Sequence, residues 1–363
     1  IQIVRFICLA FLTFLTVTLS WAAQAQTGLK DVLTNYANIA EAKYQDSLAT
    51  AHELQTAVEM FLKTPNQKNI QAARAAWLAS RVPYQQTEVY RFGNNIVDDW
   101  EGRVNAWPLD EGLIDYVADD YGEESEENVL YTANVIARRT LKINGRSIEI
   151  PEITKDVLQS VLHEAGGIEA NVATGYHAIE FLLWGQDNNG TEAGAGKRPA
   201  TDFDLANCTG GNCDRRVQYL RAAIELLIDD LTWMAAQWAE GGAARKAVVD
   251  APGGKGLIAM LTGMGSLSYG ELAGERMKLG LILHDPEEEH DCFSDNTHYS
   301  HFYDVVGIEN IYLGRYQRPN GQTVSGASLS DLVKKADPEL DKRVRASIFT
   351  TRQSMEEIVK QAQ

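Results

Sequence analysis

From Leu29 onward the apolar residues return every three or four positions. Val32, Leu33, Tyr36 and Ile39 are followed by Leu48, Leu54, Val58 and Phe61, and the series stops at Pro65. That spacing lays one apolar stripe along an α-helix, and such a stripe must be buried against other elements. A second run over residues 67–90 has the same period and contains Pro83. Proline removes a backbone donor and crowds the preceding turn, which predicts a kink there. Further helices are expected over residues 109–117, 126–138, 155–163, 168–183, 215–240, 256–283, 303–313 and 339–362. Strand signals are scarce; residues 141–150, with Asn144-Gly145 at the centre, predict one small β-hairpin. The fold class expected is all-α, with two helical-bundle domains packed against each other.

The Gly- and Asn-rich stretch from Gly185 to Gly211 is the clearest break in this pattern. It sets expected domains at residues 26–190 and 215–363, with a linker at 191–214. At the other end, Arg5 precedes an apolar run over residues 6–19, and Ala23-Gln24-Ala25 has the small-x-small form of a cleavage site. Residues 1–25 are read as an export signal, which places the mature chain in the periplasm of a Gram-negative bacterium. No later segment offers the roughly 18 to 20 uninterrupted apolar residues of a spanning helix.

The whole chain carries 33 Lys and Arg against 50 Asp and Glu, a formal charge of −17. Such a surface repels nucleic acid and anionic lipid and tolerates cations. Cys208 and Cys213 bracket Thr-Gly-Gly-Asn, a flexible turn, and in an oxidising compartment they are expected to form a disulfide. Closing so short a loop stabilises by roughly 2 kcal/mol at most.

Gly175-Tyr176-His177-Ala178-Ile179-Glu180 puts an imidazole and a carboxylate three residues apart in an apolar, helix-forming run. At that spacing both share a helix face and can close on one metal ion or one proton. A core histidine satisfied by Glu180 is the plainer reading, and His284–Glu287 and His298–His301 repeat the spacing. Trp77, Arg81, Tyr84 and Glu88 form one stripe of the second helix, either a buried Arg–Glu pair or a wall with Glu88 as ligand and Arg81 orienting it. A metal needs three or four ligands, and Glu88, Asp110 and Glu111 are the natural supplements to His177 and Glu180. His290, Asp291, Cys292, His298 and His301 make a rival metal locus, or else a surface loop in which Asn296 caps a turn; the loop is expected to fold back and shape the pocket. Gly254-Lys255-Gly256 imitates a dinucleotide fingerprint but follows no strand, and no phosphate loop or nucleophile elbow is present.

Four blocks together resemble the imelysin-like family, also classed as peptidase family M75. They are residues 76–88 with Trp77, Arg81, Tyr84 and Glu88; residues 105–111 with Asp110 and Glu111; Gly175, His177 and Glu180 as GxHxxE; and residues 285–298 with His290, Asn296 and His298. The chain is most similar to that family's branch of exported iron-regulated proteins. The resemblance implies two helical bundles with the GxHxxE residues near their interface, a role in iron uptake beside a membrane uptake component, and a peptidase label drawn from insulin cleavage. The ligand set expected is His177, Glu180, Glu88 and Asp110, supported by Arg81, Tyr84, Trp77, Glu111, Gly175, His290, Asn296 and His298. The cofactor or cargo expected is a divalent or ferric metal ion, iron or zinc, bare or as a chelate.

Three functional classes remain at this point. They are an iron or metal-chelate binding protein, a zinc metallopeptidase, and a partner-binding protein without chemistry. The peptidase lacks HExxH, so Glu88 or Asp110 would have to serve as base if Glu180 ligates.

Overall fold

Asn66 accepts a hydrogen bond from the Asn69 backbone N–H and so opens the second helix one residue after Pro65. The computed structural model describes residues 2–122, 125–284 and 288–362, with side chains from residue 28 onward apart from Asp120. The export-signal expectation for residues 1–25 lies outside the described side chains. Helices α1 (Gln2–Lys63) and α2 (Gln67–Gln85) form an antiparallel pair, and α3 spans Asn95–Asn105. The hairpin pairs β1 (Thr140–Ile143) with β2 (Arg146–Glu149). A short α4 (Lys155–Val157) precedes the wholly buried α5 (Gly175–Trp184) and the long α6 (Cys213–Trp238). Then come α7 (Ala243–Val249), α8 (Lys255–Gly265) and α9 (Gly280–Leu283), the last two joined by wider turns over Ser266–Leu279. Helix α10 (Thr297–Leu313), a second hairpin of β3 (Arg315–Gln317) with β4 (Thr323–Ser325), α11 (Leu329–Ala336) and α12 (Pro338–Gln361) complete the described chain.

Helices dominate, and the two strand pairs are small antiparallel hairpins. One connected core runs from Val32 on α1 to Leu329 on α11, so α1, α2, α5 and α6 bury their apolar stripes in common. Among the described residues no helix is long and apolar enough to cross a membrane. Cys208 and Cys213 are joined, their Cα atoms 5.9 Å apart.

Two expected helices are absent. Residues 126–138 form turns, because the Asn128 and Asn134 side chains accept from the Leu130 and Ala137 N–H groups and compete with the helical ladder. The backbone of Asn134, Val135 and Ile136 instead donates to Gly112, Leu113 and Ile114. Residues 109–117 accordingly keep only a single tight turn, Glu111–Leu113. Pro83 falls in the last turn of α2, which ends two residues later, so it acts as a terminator.

Candidate metal centre

Gly175 decides where α5 lies. It adopts φ 80°, and a Cβ there would stand 2.4 Å from the Val104 carbonyl oxygen, so only glycine lets α5 press against the end of α3. Thr174 locks the approach by donating its hydroxyl to the Arg103 carbonyl. His177, one turn into α5, thereby meets Trp107 at a ring distance of 5.1 Å and His290 at 4.8 Å.

His290 and Asp291 come from the loop before α10, far away in sequence. One ligating atom each from His177, His290 and Asp291 lie within 4.8 Å of one another, and all three residues are buried. Burial, and then the nearby Arg81 charge, hold the His177 pKa down to about 3; burial likewise drives His290 well below its ordinary value. Both imidazoles are therefore neutral at physiological pH, the form that ligates metal. Burial alone would raise the Asp291 pKa, but Arg81 overcomes it and brings it to about 2. The cluster thus offers two neutral imidazoles and one carboxylate.

Glu180 stands behind His177. Its Oε2 lies 2.9 Å from Nδ1, and its Oε1 accepts from the Ser294 N–H. Burial and then Asp291 push the Glu180 pKa well up. When the neutral ring carries its proton on Nδ1 and donates it to the ionised Glu180, Nε2 keeps its lone pair; that Nε2 is buried and has no hydrogen-bond partner. A carboxylate–histidine pair with the far nitrogen open is the arrangement that orients an imidazole toward a metal.

Arg81 holds the opposite wall. Its Nη2 donates to Asp291 Oδ1 at 2.7 Å and its Nη1 to Asn105 Oδ1 at 2.6 Å, while Trp77, Tyr84 and Tyr176 surround the guanidinium at 5.0 to 5.6 Å. Asn296 and Ser300 also donate to Asp291. Because Arg81 takes the Asn105 oxygen, the Asn105 amide nitrogen faces His290 Nε2 at 3.3 Å.

Several residues expected here lie elsewhere. Glu88 falls past the end of α2 in a separate tight turn, and its carboxylate is bound by Arg276 at 2.9 Å. Arg81 therefore pairs with Asp291 and Asn105 rather than with Glu88. Asp110 is half-buried and accepts from Asn128, and buried Glu111 accepts from Gln186. His298 is half-buried against Tyr299, and His301 is buried; neither joins the cluster. Asp291, read from the sequence as part of the rival locus, joins His177 here, whereas the supporting places of Asn105 and Ser300 are not assigned from the sequence.

A cleft of about 670 Å³ reaches the cluster from outside, with Asn105, Trp107 and His290 in its wall. A second opening of about 270 Å³ is lined in part by Arg81, Asn296 and Ser300.

A helical protein whose buried polar center gathers two imidazoles and a carboxylate from distant segments is the class defined so far. The Imelysin family, peptidase family M75, matches residues 40–363, and the chain belongs to it. Iron-regulated protein A of Synechococcus elongatus is 29% identical over 85 residues, 23% of this chain and 24% of that protein. The chain thus aligns with about a quarter of the length of that relative. A structure described as an iron-regulated protein A precursor from Parabacteroides distasonis superposes with TM-score 0.63 at 18% identity, covering 91% of this chain and 85% of the other. An imelysin-like protein from Psychrobacter arcticum gives 0.59 at 14%, covering 91% and 84%. These two likenesses show the fold.

Proposed function

We propose that this protein is an exported iron-handling protein that holds a divalent cation at His177, His290 and Asp291, between the two expected halves of the chain, in the service of iron uptake. Two observations carry this reading: His177, His290 and Asp291 bring one donor atom each within 4.8 Å of one another, and His177 also has a buried Nε2 without a hydrogen-bond partner. A buried polar atom without a partner costs about 1–3 kcal/mol, and a ligand relieves it. Two imidazoles and a carboxylate suit ferrous iron or zinc. When bound, the cation would be held by these three side chains, with Glu180 fixing the His177 ring and Arg81 fixing Asp291. The iron-regulated names of the relatives agree with iron as cargo.

The zinc-peptidase reading uses the same three donors but needs a nearby carboxylate base. Both oxygens of Glu180 are already engaged, and Glu88 is bound to Arg276. That favours storage or transfer over hydrolysis. The test is titration of metal-stripped protein with Fe²⁺ without oxygen, followed calorimetrically. One equivalent is expected for wild type, with affinity reduced at least 100-fold in His177→Ala and in His290→Ala. Equal binding by all three proteins, or binding by none, would sink the reading; chelator-sensitive cleavage of a peptide library would restore the peptidase.

A further inference from the structure

The cleft that leads to the cluster is unequally charged. Glu101, Glu164, Glu169, Glu271, Glu275 and Glu288 line it, and Arg91 and Arg276 are its only Arg or Lys residues among the described ones. Neither arginine is available to an incoming anion. Arg91 is tied to Asp98, Glu101 and Glu271, and Arg276 to Glu88, Glu271 and Asp304. At the inner end stand Trp107 and His290, whose rings both pack against the ring of His177. His177 therefore lies one side chain behind the lining, with its open nitrogen sealed from bulk water.

We infer that the cleft delivers the metal as a bare aquated divalent cation and turns away iron already wrapped in an anionic chelate. This rests on the metal-binding reading above and adds the form in which the metal arrives. A chelate bearing carboxylates would need unengaged guanidinium or ammonium groups to receive it, since these make the strong bidentate contacts. The cleft offers carboxylates in their place. Donor atoms gathered within 4.8 Å leave room for one ion, so the organic part of a chelate would stay in the cleft against like charge. A wall of one sign around a concave, low-dielectric path also focuses the field and speeds capture of the opposite charge, by 10- to 1,000-fold in known cases.

The rim residues Glu164 and Glu275 are exposed and Glu288 is half-buried, so their neutralisation leaves the core and the three donors untouched. The experiment compares wild type with the triple variant Glu164→Gln/Glu275→Gln/Glu288→Gln by stopped-flow tryptophan fluorescence, using Fe²⁺ without oxygen and, separately, ferric citrate. Expected for the variant is association of Fe²⁺ about tenfold slower at 10 mM salt, an unchanged dissociation rate, and convergence with wild type at 0.5 M salt, where the Debye length falls below about 5 Å. Expected for wild type is ferric citrate at least 100-fold weaker than Fe²⁺. Fe²⁺ binding that depends on His177 but ignores the rim charges and their salt dependence overturns this inference alone, as does ferric citrate bound as tightly as Fe²⁺. Absence of any Fe²⁺ binding to wild type removes the metal-binding reading and this one with it.

Discussion

Arg81 and Arg276 are both buried and both bind carboxylates, yet their surroundings behave in opposite ways. Around Arg81 there is one direct carboxylate partner, Asp291, and Asn296 and Ser300 complete its hydrogen bonds; the acid is held ionised with its pKa at about 2. Around Arg276 there are three, Glu88, Glu271 and Asp304, with Glu101 close by. Burial, then Glu88, lift Glu101 to about 7, and burial lifts Asp304 well above its ordinary value. Burial is common to both places, so direct pairing decides the sign: Asp291, which has Arg81 to itself, is ionised, while Glu180, which Arg81 does not bind, is pushed up as the crowded acids are. The first arrangement fixes a charged donor at one position and one protonation state, as a binding site requires. The second holds more negative charge than its arginine can balance and takes up protons near neutrality.

The largest effect is expected from Arg81→Met, which keeps volume but leaves Asp291 buried without its cation. Loss of one partner of a buried pair costs roughly 3–5 kcal/mol, read from urea unfolding at pH 7. The pH dependence of this pair comes from Asp291. Its lowered folded pKa stabilises wild type above the unfolded value near 3.8, and that contribution is lost as pH falls toward 2. Wild type and variant should therefore converge near pH 2–3, and a difference that persists there would show that Arg81 acts through packing alone. Next in size is Gly175→Ala. A left-handed backbone with a Cβ costs about 1–2 kcal/mol, and forcing α5 off Val104 adds about 1–3 kcal/mol. If it unfolds no more easily than wild type, α5 does not rest on α3 as described.

Much of the Arg81 side was legible in the sequence, and little of the Arg276 side was. Trp77, Arg81 and Tyr84 are spaced on one helix, and His177 and Glu180 share a turn, so local period alone places each group. The pairing of Arg81 with Asp291 spans 210 positions, and no period encodes it. Arg276 lies in wide turns that follow no 3.6-residue rule, so its face could not be assigned, and Glu88 was placed on an α2 that in fact ends at Gln85. The helix expected over 126–138 failed for a related reason. Apolar spacing was present, but two asparagines supplied local hydrogen bonds that compete with the helix.

The smallest and most discriminating change is Glu101→Gln, which removes one acid from the crowded side without touching the three donors. A folded pKa of about 7 against an unfolded value of about 4.5 means that the folded protein binds the extra proton. Wild-type stability from this group is present below pH 4.5 and declines as pH rises to 7. At 1.36 kcal/mol per pH unit the decline reaches ~3 kcal/mol at most, offset in part by the contact with Arg91 at 3.5 Å. Glutamine at this position does not ionise, so the variant should gain about 1–3 kcal/mol on wild type between pH 5 and pH 8, measured as the difference in urea midpoints at the two values. The same substitution should leave the acid limb below pH 4 unchanged, because Asp291 governs it. Were the variant to lose stability at pH 8 relative to wild type, Arg91 and Arg276 would already balance their acids, and the contrast between the two arginines would rest on burial alone.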